Sequence, residues 1–245
     1  MFEAAEVGHT ISKEDYEARE TELREALLDA QLDLLESGKF SVVVVLGGVD
    51  ASGKGDVINM LNEWLDPRHV ATHALGQPLG EDRERAPFYR FWRALPARGK
   101  TAVFVGSWYT QPIMDRVYRR CRGAELDLSM RRAVLFERML SNENVLILKF
   151  WLHLSKKTQR QRLKDLSKDP RTAWRVSPDD WKHHRRYDRC REVSERALRE
   201  SSSTEAPWIV GEATDARYRD LTIATAMTHA IRKRLEEAAP SKHIH

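Results

Sequence analysis

The stretch that decides the fold is Phe40–Leu65, with the sequence FSVVVVLGGVDASGKGDVINMLNEWL. It opens with the apolar, β-branched run Val42–Leu46, which is typical of a strand buried on both faces in a parallel sheet. After two glycines the chain resumes with apolar residues at helical spacing, namely Val57, Ile58, Leu61 and Leu65. The sequence therefore predicts a buried strand, a glycine-rich turn and an amphipathic helix.

The turn, Gly48–Lys54, has the G-x-x-x-x-G-K spacing of a phosphate-binding loop. Glycines let successive backbone N–H groups point into one concavity, and a helix that begins near Gly53 adds unpaired N–H groups and a positive dipole end. Lys54 supplies a full charge for the outer phosphates. The alternative is a structural strand-to-helix turn that binds no ligand, but the flanking strand and helix favour phosphate binding. The residues expected to contact phosphate with Lys54 are Gly48, Ala51, Ser52, Gly53 and Gly55.

Two positions depart from the commonest loops of this kind. Gly55 follows Lys54, where a Ser or Thr usually holds magnesium. Asp50 lies inside the loop, where its carboxylate would repel phosphate unless a cation or an acceptor group stood between them. We favour a metal-binding or acceptor-activating role for Asp50 over the alternative of a turn residue or helix N-cap. Ser52 is the candidate to replace the missing hydroxyl.

The composition predicts one large α/β domain, or one domain with an appended helical piece: 245 residues, of which 41% are hydrophobic and 32% charged. No apolar run reaches the ~18 residues that span a bilayer, and the N-terminus lacks a signal pattern. Cys121 and Cys190 form neither a metal-like spacing nor a disulfide framework. We therefore expect a cytoplasmic protein with no membrane partner.

Charge is distributed unevenly. Residues 1–38 carry three basic and eleven acidic side chains, a net of −8, whereas residues 156–200 carry fifteen basic and eight acidic ones, a net of +7. The acidic segment reads as a solvated helix face. The basic segment, with His153, His183 and His184, predicts contact with the anionic ligand of the loop rather than with nucleic acid. The two segments can meet between subunits, so we expect a homo-oligomer.

Outside the loop, the pattern predicts alternating strands and helices. Residues 1–11 are expected to be irregular, and a helix should follow from Ser12 to Ser37. The further strands are predicted at Val70–Leu75, Thr101–Val105, Asn144–Leu154 and Trp208–Val210, and the longer later helices at Leu126–Leu140, Lys156–Leu166, Pro178–Glu200 and Asp215–Glu237. Buried strands that alternate with helices indicate a three-layer sheet with helices on both faces.

The segment Pro87–Arg93 packs four aromatic residues and two arginines into seven positions. Aromatic rings beside arginine suit a flat base and its phosphate, which makes Arg90 a candidate nucleotide or phosphate ligand. Simple packing explains the same pattern equally well, and the sequence leaves both interpretations open.

Several motifs together carry a family resemblance. They are GVDASGKG at Gly48–Gly55, LPARG at Leu95–Gly99, SWY at Ser107–Tyr109, DRV at Asp115–Val117, WRVSPDDW at Trp174–Trp181 and ATDARY at Ala213–Tyr218. In this order, and over nearly the whole chain, the sequence resembles the second family of polyphosphate kinases. Gly55 in place of Ser or Thr is usual in that family.

The resemblance implies a three-layer α/β/α P-loop kinase fold with a parallel central sheet and a helical lid. We expect an N-terminal helical extension at 1–38 and a phosphotransferase domain at 39–245, with the lid at about 156–191. Members of the family transfer phosphoryl groups between inorganic polyphosphate and nucleotides with Mg²⁺, so the expected partners are polyphosphate and AMP or ADP.

The resemblance also implies roles for the residues of this sequence that match the family's motifs. The resemblance implies that Lys54 and the loop amides hold the transferred phosphate, that Asp50 helps to hold Mg²⁺ and the acceptor, and that Arg116 is a phosphate ligand. The basic lid would close over the polyphosphate chain, with Arg160 and Arg171 among its phosphate ligands.

One departure stands out. Active family members carry Asp-Arg directly before Ser-Trp-Tyr, whereas this chain has Val105-Gly106. In this it is most similar to the N-terminal copy of the two-domain polyphosphate:AMP phosphotransferases. The alternative to a transferase is therefore a catalytically weak or inactive domain that binds polyphosphate or nucleotide. A third alternative, an ATP-dependent nucleoside monophosphate kinase, is weaker because no adenine-holding donor pocket is recognisable.

Overall fold

The computed structural model describes residues 1–238, and its elements follow the predicted alternation. The strands are β1 Ser41–Gly48, β2 Val70–Ala74, β3 Thr101–Val105, β4 Val145–His153 and β5 Trp208–Glu212. The α-helices are α1 Lys13–Ser37, α2 Lys54–Trp64, α3 Tyr89–Trp92, α4 Thr110–Val117, α5 Gly123–Asn142, α6 Lys156–Lys168, α7 Pro178–Arg185, α8 Tyr187–Ser201 and α9 Ala216–Ala238. Among these residues no helix combines the length and the apolar content that crossing a membrane requires.

The five strands form one sheet in the order β2-β3-β1-β4-β5, and every pairing is parallel. The central strand β1 is buried from Ser41 to Leu46, which explains its unbroken apolar sequence. Because all the strands run in one direction, their carboxyl ends lie at one edge of the sheet. The ends of β1, β3 and β4 therefore converge beside the phosphate loop.

Helices cover both faces of the sheet. On one face, α1, α2 and α9 pack against alternate residues of β1, represented by Val44. On the other face, α4, α5 and α8 pack against the intervening residues, represented by Val45. The prediction of a three-layer α/β/α fold with a parallel central sheet is confirmed.

Helix α1 begins and ends as the sequence predicts. The Ser12 hydroxyl accepts a hydrogen bond from the Asp15 backbone N–H at 2.9 Å, and Gly38 ends the helix in the left-handed conformation at φ +56°. Its buried residues, Leu27 and Leu34 among them, share one apolar core with α9 and the sheet. The division of the chain into 1–38 and 39–245 stays a prediction.

Two predictions about local structure are wrong. Residues 1–11 are not wholly irregular: Phe2–Ala5 forms a 3₁₀ turn, and the Phe2 ring is buried parallel to the His153 ring with centroids 4.4 Å apart. The single helix expected at Pro178–Glu200 is two helices, because the chain breaks at Arg186. This break allows α7 to lie over the phosphate loop while α8 packs against the sheet.

Candidate active site

The phosphate loop connects the end of β1 to the first residue of α2. Gly53 precedes the helix in the left-handed conformation at φ +89°, and a Cβ atom there would overlap the guanidinium of Arg219. Only glycine satisfies both constraints. The loop therefore leads into the N-terminus of an eleven-residue helix whose first N–H groups have no partners within the helix.

The Lys54 side chain turns back into this loop. Its Nζ atom donates to the carbonyl oxygens of Gly48 at 3.1 Å and Val49 at 2.9 Å. Burial lowers the pKa of Lys54, and the nearby carboxylates of Asp50 and Asp180 oppose that shift. The Nζ atom of Lys54 is thus held at the loop by two carbonyl oxygens, either of which a phosphate oxygen can replace as its partner.

Three arginines surround the same loop, and we call Arg162, Arg175 and Arg219 the arginine triad. Arg162 donates to the carbonyl oxygen of Ala51 at 3.1 Å, and the buried Arg219 donates to that of Ser52 at 3.3 Å. Arg175 is paired with Asp56 at 2.6 Å. Burial and the neighbouring Arg219 lower the pKa of Arg162. Three guanidinium groups so close together suit a ligand that carries several negative charges.

The predicted lid contacts the loop directly. His183 on α7 places its Nδ1 atom 2.8 Å from the Asp50 carboxylate, and this hydrogen bond raises the pKa of His183. Gln159 on α6 donates to the Asp50 carbonyl oxygen at 3.2 Å. Two helices of the predicted lid segment, α6 and α7, therefore contact one loop residue.

The donor set of the loop fits Mg²⁺. This ion keeps several waters and binds through one or two carboxylates together with substrate phosphates, so a dedicated protein cage is not required. Asp50 offers a partly exposed carboxylate, and the buried Ser52 hydroxyl has no hydrogen-bond partner. Within residues 1–238 no group of three or more metal-binding side chains exists. Asp50 and Ser52 are the residues that would hold the ion, which would neutralise charge on phosphate oxygens.

Two cavities meet at the carboxyl edge of the sheet. The first, about 200 Å³, lies between the loop, α4 and α8, and its lining includes Lys54, Tyr109 and Trp151. The second, about 390 Å³, lies between the segment 78–91 and helices α4 and α5. Ser107 lines both, so the turn after β3 is their common wall.

The predicted site residues divide into two groups. Asp50, Lys54 and the loop residues lie together, and Lys54 and Asp50 line the first cavity. Arg90 lines the second cavity, where it donates to the Gly76 carbonyl oxygen at 2.7 Å. Arg116 is half-buried on α4 and lines neither cavity.

Two predicted lid ligands do not face the loop. Arg160 is exposed on α6, and Arg171 is exposed and paired with Asp169 at 2.8 Å. Of the three histidines, only His183 reaches the loop. His153 lies in the core against Phe2, and its Nε2 atom is 2.7 Å from the Glu6 carboxylate. The expectation that His153 faces an anionic ligand is therefore wrong, because its strand position turns it toward the N-terminal segment.

The arginine triad was not predicted, and helical periodicity does not select it. On α6 the inward face is marked by the buried Gln159 and Leu163. Arg162 and Arg160 flank that face on opposite sides, each about 80° from its centre, so helical phase does not distinguish them. The contact of Arg162 with the Ala51 carbonyl oxygen distinguishes it, and that contact exists only once α6 is packed beside the loop.

Comparisons with known proteins agree with this geometry. The family described as Polyphosphate kinase 2 (PPK2) matches residues 10–239. The chain belongs to the PPK2 family. The resemblance inferred from the loop and its companion motifs is thereby confirmed, whereas its assignment to an N-terminal copy stays a prediction.

Curated relatives in this family include two proteins named polyphosphate:AMP phosphotransferase. That of Pseudomonas aeruginosa is 46% identical over 235 residues, which is 96% of this chain and 47% of the relative. That of Pseudomonas syringae pv. tomato is 42% identical over 240 residues, which is 98% of this chain and 48% of the relative. The chain spans about half the length of these two relatives. An AMP/ADP-polyphosphate phosphotransferase of Meiothermus ruber is 31% identical, with 84% of this chain and 79% of the relative covered.

Solved structures of PPK2 proteins share the fold. A polyphosphate kinase 2 structure from Pseudomonas aeruginosa PA01 superposes with a TM-score of 0.87 at 43% identity, covering 96% of this chain and 48% of that one. Polyphosphate Kinase 2 from Arthrobacter aurescens TC1 gives a TM-score of 0.88 at 25% identity, covering 93% of this chain and 82% of that one.

Proposed function

We propose that the chain transfers phosphoryl groups between inorganic polyphosphate and AMP or ADP, with Mg²⁺. The observation that carries the proposal is the concentration of cations at one loop: Lys54 and the arginine triad surround a helix N-terminus that is suited to phosphate. Phosphoryl transfer depends on positioning and charge stabilisation more than on covalent chemistry. The names of the PPK2 relatives support the same substrates.

The loop and lid act on the phosphate chain. Lys54 and the N–H groups at the start of α2 hold the transferred phosphate, and Arg162 and Arg175 neutralise the phosphates behind it. Asp50 would hold the metal ion, which would neutralise charge on the phosphates. Because His183 contacts the Asp50 carboxylate, His183 and that ion would compete for its oxygen atoms. The half-buried Arg116 and the exposed Arg160 and Arg171 are assigned to later phosphates along the polyphosphate chain.

The second cavity is the place proposed for the acceptor nucleotide. Its lining combines the rings of Phe88 and Phe91 with Arg90 and Arg132, which supplies a flat apolar surface and positive charge. It meets the first cavity at Ser107, so a nucleotide phosphate can approach the loop along that wall.

Purified protein with polyphosphate, AMP or ADP, and Mg²⁺ tests the proposed activity, with the nucleotide products separated by chromatography. Lys54→Ala should lower the affinity for tripolyphosphate at least 10-fold in calorimetry, since it removes the full charge at the loop. Circular dichroism controls for folding. Unchanged tripolyphosphate binding by Lys54→Ala would disprove the assignment of the loop.

The acceptor site has a matched pair of variants on α5. Arg132 lines the second cavity, whereas its exposed neighbour Arg131 does not. Arg132→Ala should weaken AMP binding several-fold more than Arg131→Ala, because only the former removes a charge from the cavity. Equal AMP affinities for the two variants would place the nucleotide elsewhere.

We further propose a cytoplasmic homo-oligomer. Cys121 and Cys190 are free thiols in the described chain, which suits a reducing compartment. Exposed apolar side chains on α3 and α5, including Trp92, Leu135 and Met139, form a patch suited to a second copy. Light scattering on the wild type and on Leu135→Glu tests this. A monomeric wild type would refute it.

A further inference from the structure

A buried ion pair lies beneath the wall that the two cavities share. Lys149 on β4 and Glu137 on α5 are 2.7 Å apart, and their side chains are 0% and 2% exposed. Replacing such a pair with apolar residues of similar volume is often neutral or stabilising, because desolvating two charges is costly. Core stability alone is therefore a weak explanation for the pair.

The pair binds the turn that follows β3. Oε1 of Glu137 accepts hydrogen bonds from Trp108 Nε1 at 3.0 Å and from the Tyr109 hydroxyl at 2.6 Å, while Oε2 accepts from Lys149. Lys149 also donates to the Tyr109 hydroxyl at 3.1 Å and to the Ser201 carbonyl oxygen at 2.8 Å. The ion pair thus ties two consecutive turn residues to α5 through Glu137, and to β4 and the end of α8 through Lys149.

The same turn borders both cavities. Ser107 lines both of them, Tyr109 lines the first and Trp108 lines the second. A shift of this turn toward one cavity narrows that cavity and widens the other. Because the proposed donor and acceptor sites meet here, their separation depends on where the turn is held.

We propose that Glu137 and Lys149 are positioning residues for phosphoryl transfer, which fix the Ser107–Tyr109 turn as the wall between the two substrates. The inference rests on the proposed function. Neither side chain lines either cavity, so both act through Trp108 and Tyr109. A misplacement of about 1 Å can cost about 10²-fold in rate, so the effect should fall on kcat rather than on the binding of polyphosphate.

Two double variants separate positioning from core stability. Glu137→Gln with Lys149→Met removes both charges, but the Gln oxygen can replace Oε1 and keep the bonds from Trp108 and Tyr109. Glu137→Met with Lys149→Met removes the same charges and also those two bonds. The pair of variants therefore differs mainly in whether the turn is held.

The Gln/Met variant should keep kcat within about 3-fold of wild type, and the Met/Met variant should lose about 10- to 100-fold. The affinity for tripolyphosphate, which the loop determines, should stay within about 2-fold in both. The Trp108 indole N–H resonance should remain protected from exchange in the Gln/Met variant and lose protection in the Met/Met variant. Equal kcat values for the two variants would overturn the inference, whether both equal the wild type or both are low.

Two further measurements keep the test decisive. The Met/Met variant leaves two buried donors unpaired and loses stability. If it does not fold, Tyr109→Phe replaces it, because that change deletes both hydrogen bonds of the Tyr109 hydroxyl, to Glu137 and from Lys149, and leaves Lys149 and Glu137 paired. An unchanged kcat would then refute positioning. If the wild type transfers no phosphate, the proposed function fails. The two double variants are then compared by their affinity for AMP instead of by kcat. Equal AMP affinities in the two double variants then refute the inference separately.

Discussion

Restoring a carboxylate at the end of β3 should raise the rate of phosphoryl transfer. Val105 is in register with Leu46 on β1, two residues before the phosphate loop begins at Gly48, and its side chain lies on the α2 face of the sheet. An Asp at this position therefore lies about one strand spacing, ~4.8 Å, from Leu46. There it can share a Mg²⁺ ion with Asp50. Because a second charge-stabilising group commonly contributes about 10²-fold, Val105→Asp should raise the Mg²⁺-dependent rate by that order.

The cost in stability is moderate. Val105 is half-buried, so the substitution loses about half of the ~1.5–3 kcal/mol that burying a valine contributes, which is about 1 kcal/mol. Partial desolvation of the new carboxylate adds about 1 kcal/mol more. For a chain of this length the melting temperature should fall by roughly 4–8 °C. The assay therefore belongs at 25 °C, after circular dichroism has shown the native fold.

Gly106 is not suitable for a second substitution, to Arg, alongside Val105→Asp. It has φ +79°, and a Cβ atom there would overlap the Leu75 carbonyl oxygen, so Gly106→Arg would force the backbone to move. Val105→Asn is the matched control, since it has nearly the same shape and burial but no charge. The rate of ADP formation from AMP and polyphosphate is measured against Mg²⁺ concentration for all three proteins. If Val105→Asp is no faster than Val105→Asn, or if the wild type already matches it, the metal ligands lie elsewhere, with Asp56 and Asp115 next to test.

Three further predictions concern the loop and lid. Arg162→Met should weaken polyphosphate binding about 10-fold and reduce the salt slope by about one, whereas Arg160→Met should change both much less, because only Arg162 contacts the loop. Similar losses in the two variants would mean that contact with the loop does not identify the ligand. Ser52→Ala should raise the Mg²⁺ concentration needed for half-maximal rate several-fold, since it removes the unpaired hydroxyl, and an unchanged Mg²⁺ curve excludes Ser52 as a ligand. Trypsin should cut first within 169–176, where Trp174 is 81% exposed, and polyphosphate should slow that cleavage; no protection would argue against a lid that closes on the chain.

Local sequence patterns predicted the fold well because buried parallel strands have short, continuous apolar sequences. Every strand and most helix ends fell near their predicted positions, and the caps at Ser12 and Gly38 fixed α1. The break at Arg186 was missed because the apolar and basic pattern continues through it. What decides that break is the different packing of α7 and α8, which is a tertiary effect.

The site was only partly predictable. A loop motif is contiguous, so Asp50 and Lys54 could be chosen from sequence. The contact of Asp50 with His183 joins residues 133 positions apart, and nothing in the local pattern indicates it. The Glu137–Lys149 pair was equally unpredictable from the sequence. Each residue resembles an ordinary surface charge, and the two meet only when the sheet and α5 pack together.

The position of β1 has a consequence for biosynthesis. Its register with β4 joins Ser41 to Val145, so one edge of the most apolar strand has no partner until about a hundred more residues have been made. At roughly 5–20 residues per second, that interval lasts roughly 5–20 seconds. Throughout it, the segment Val42–Leu46 presents open backbone groups and β-branched side chains to other nascent chains. A chaperone that binds extended apolar segments would find a binding site there.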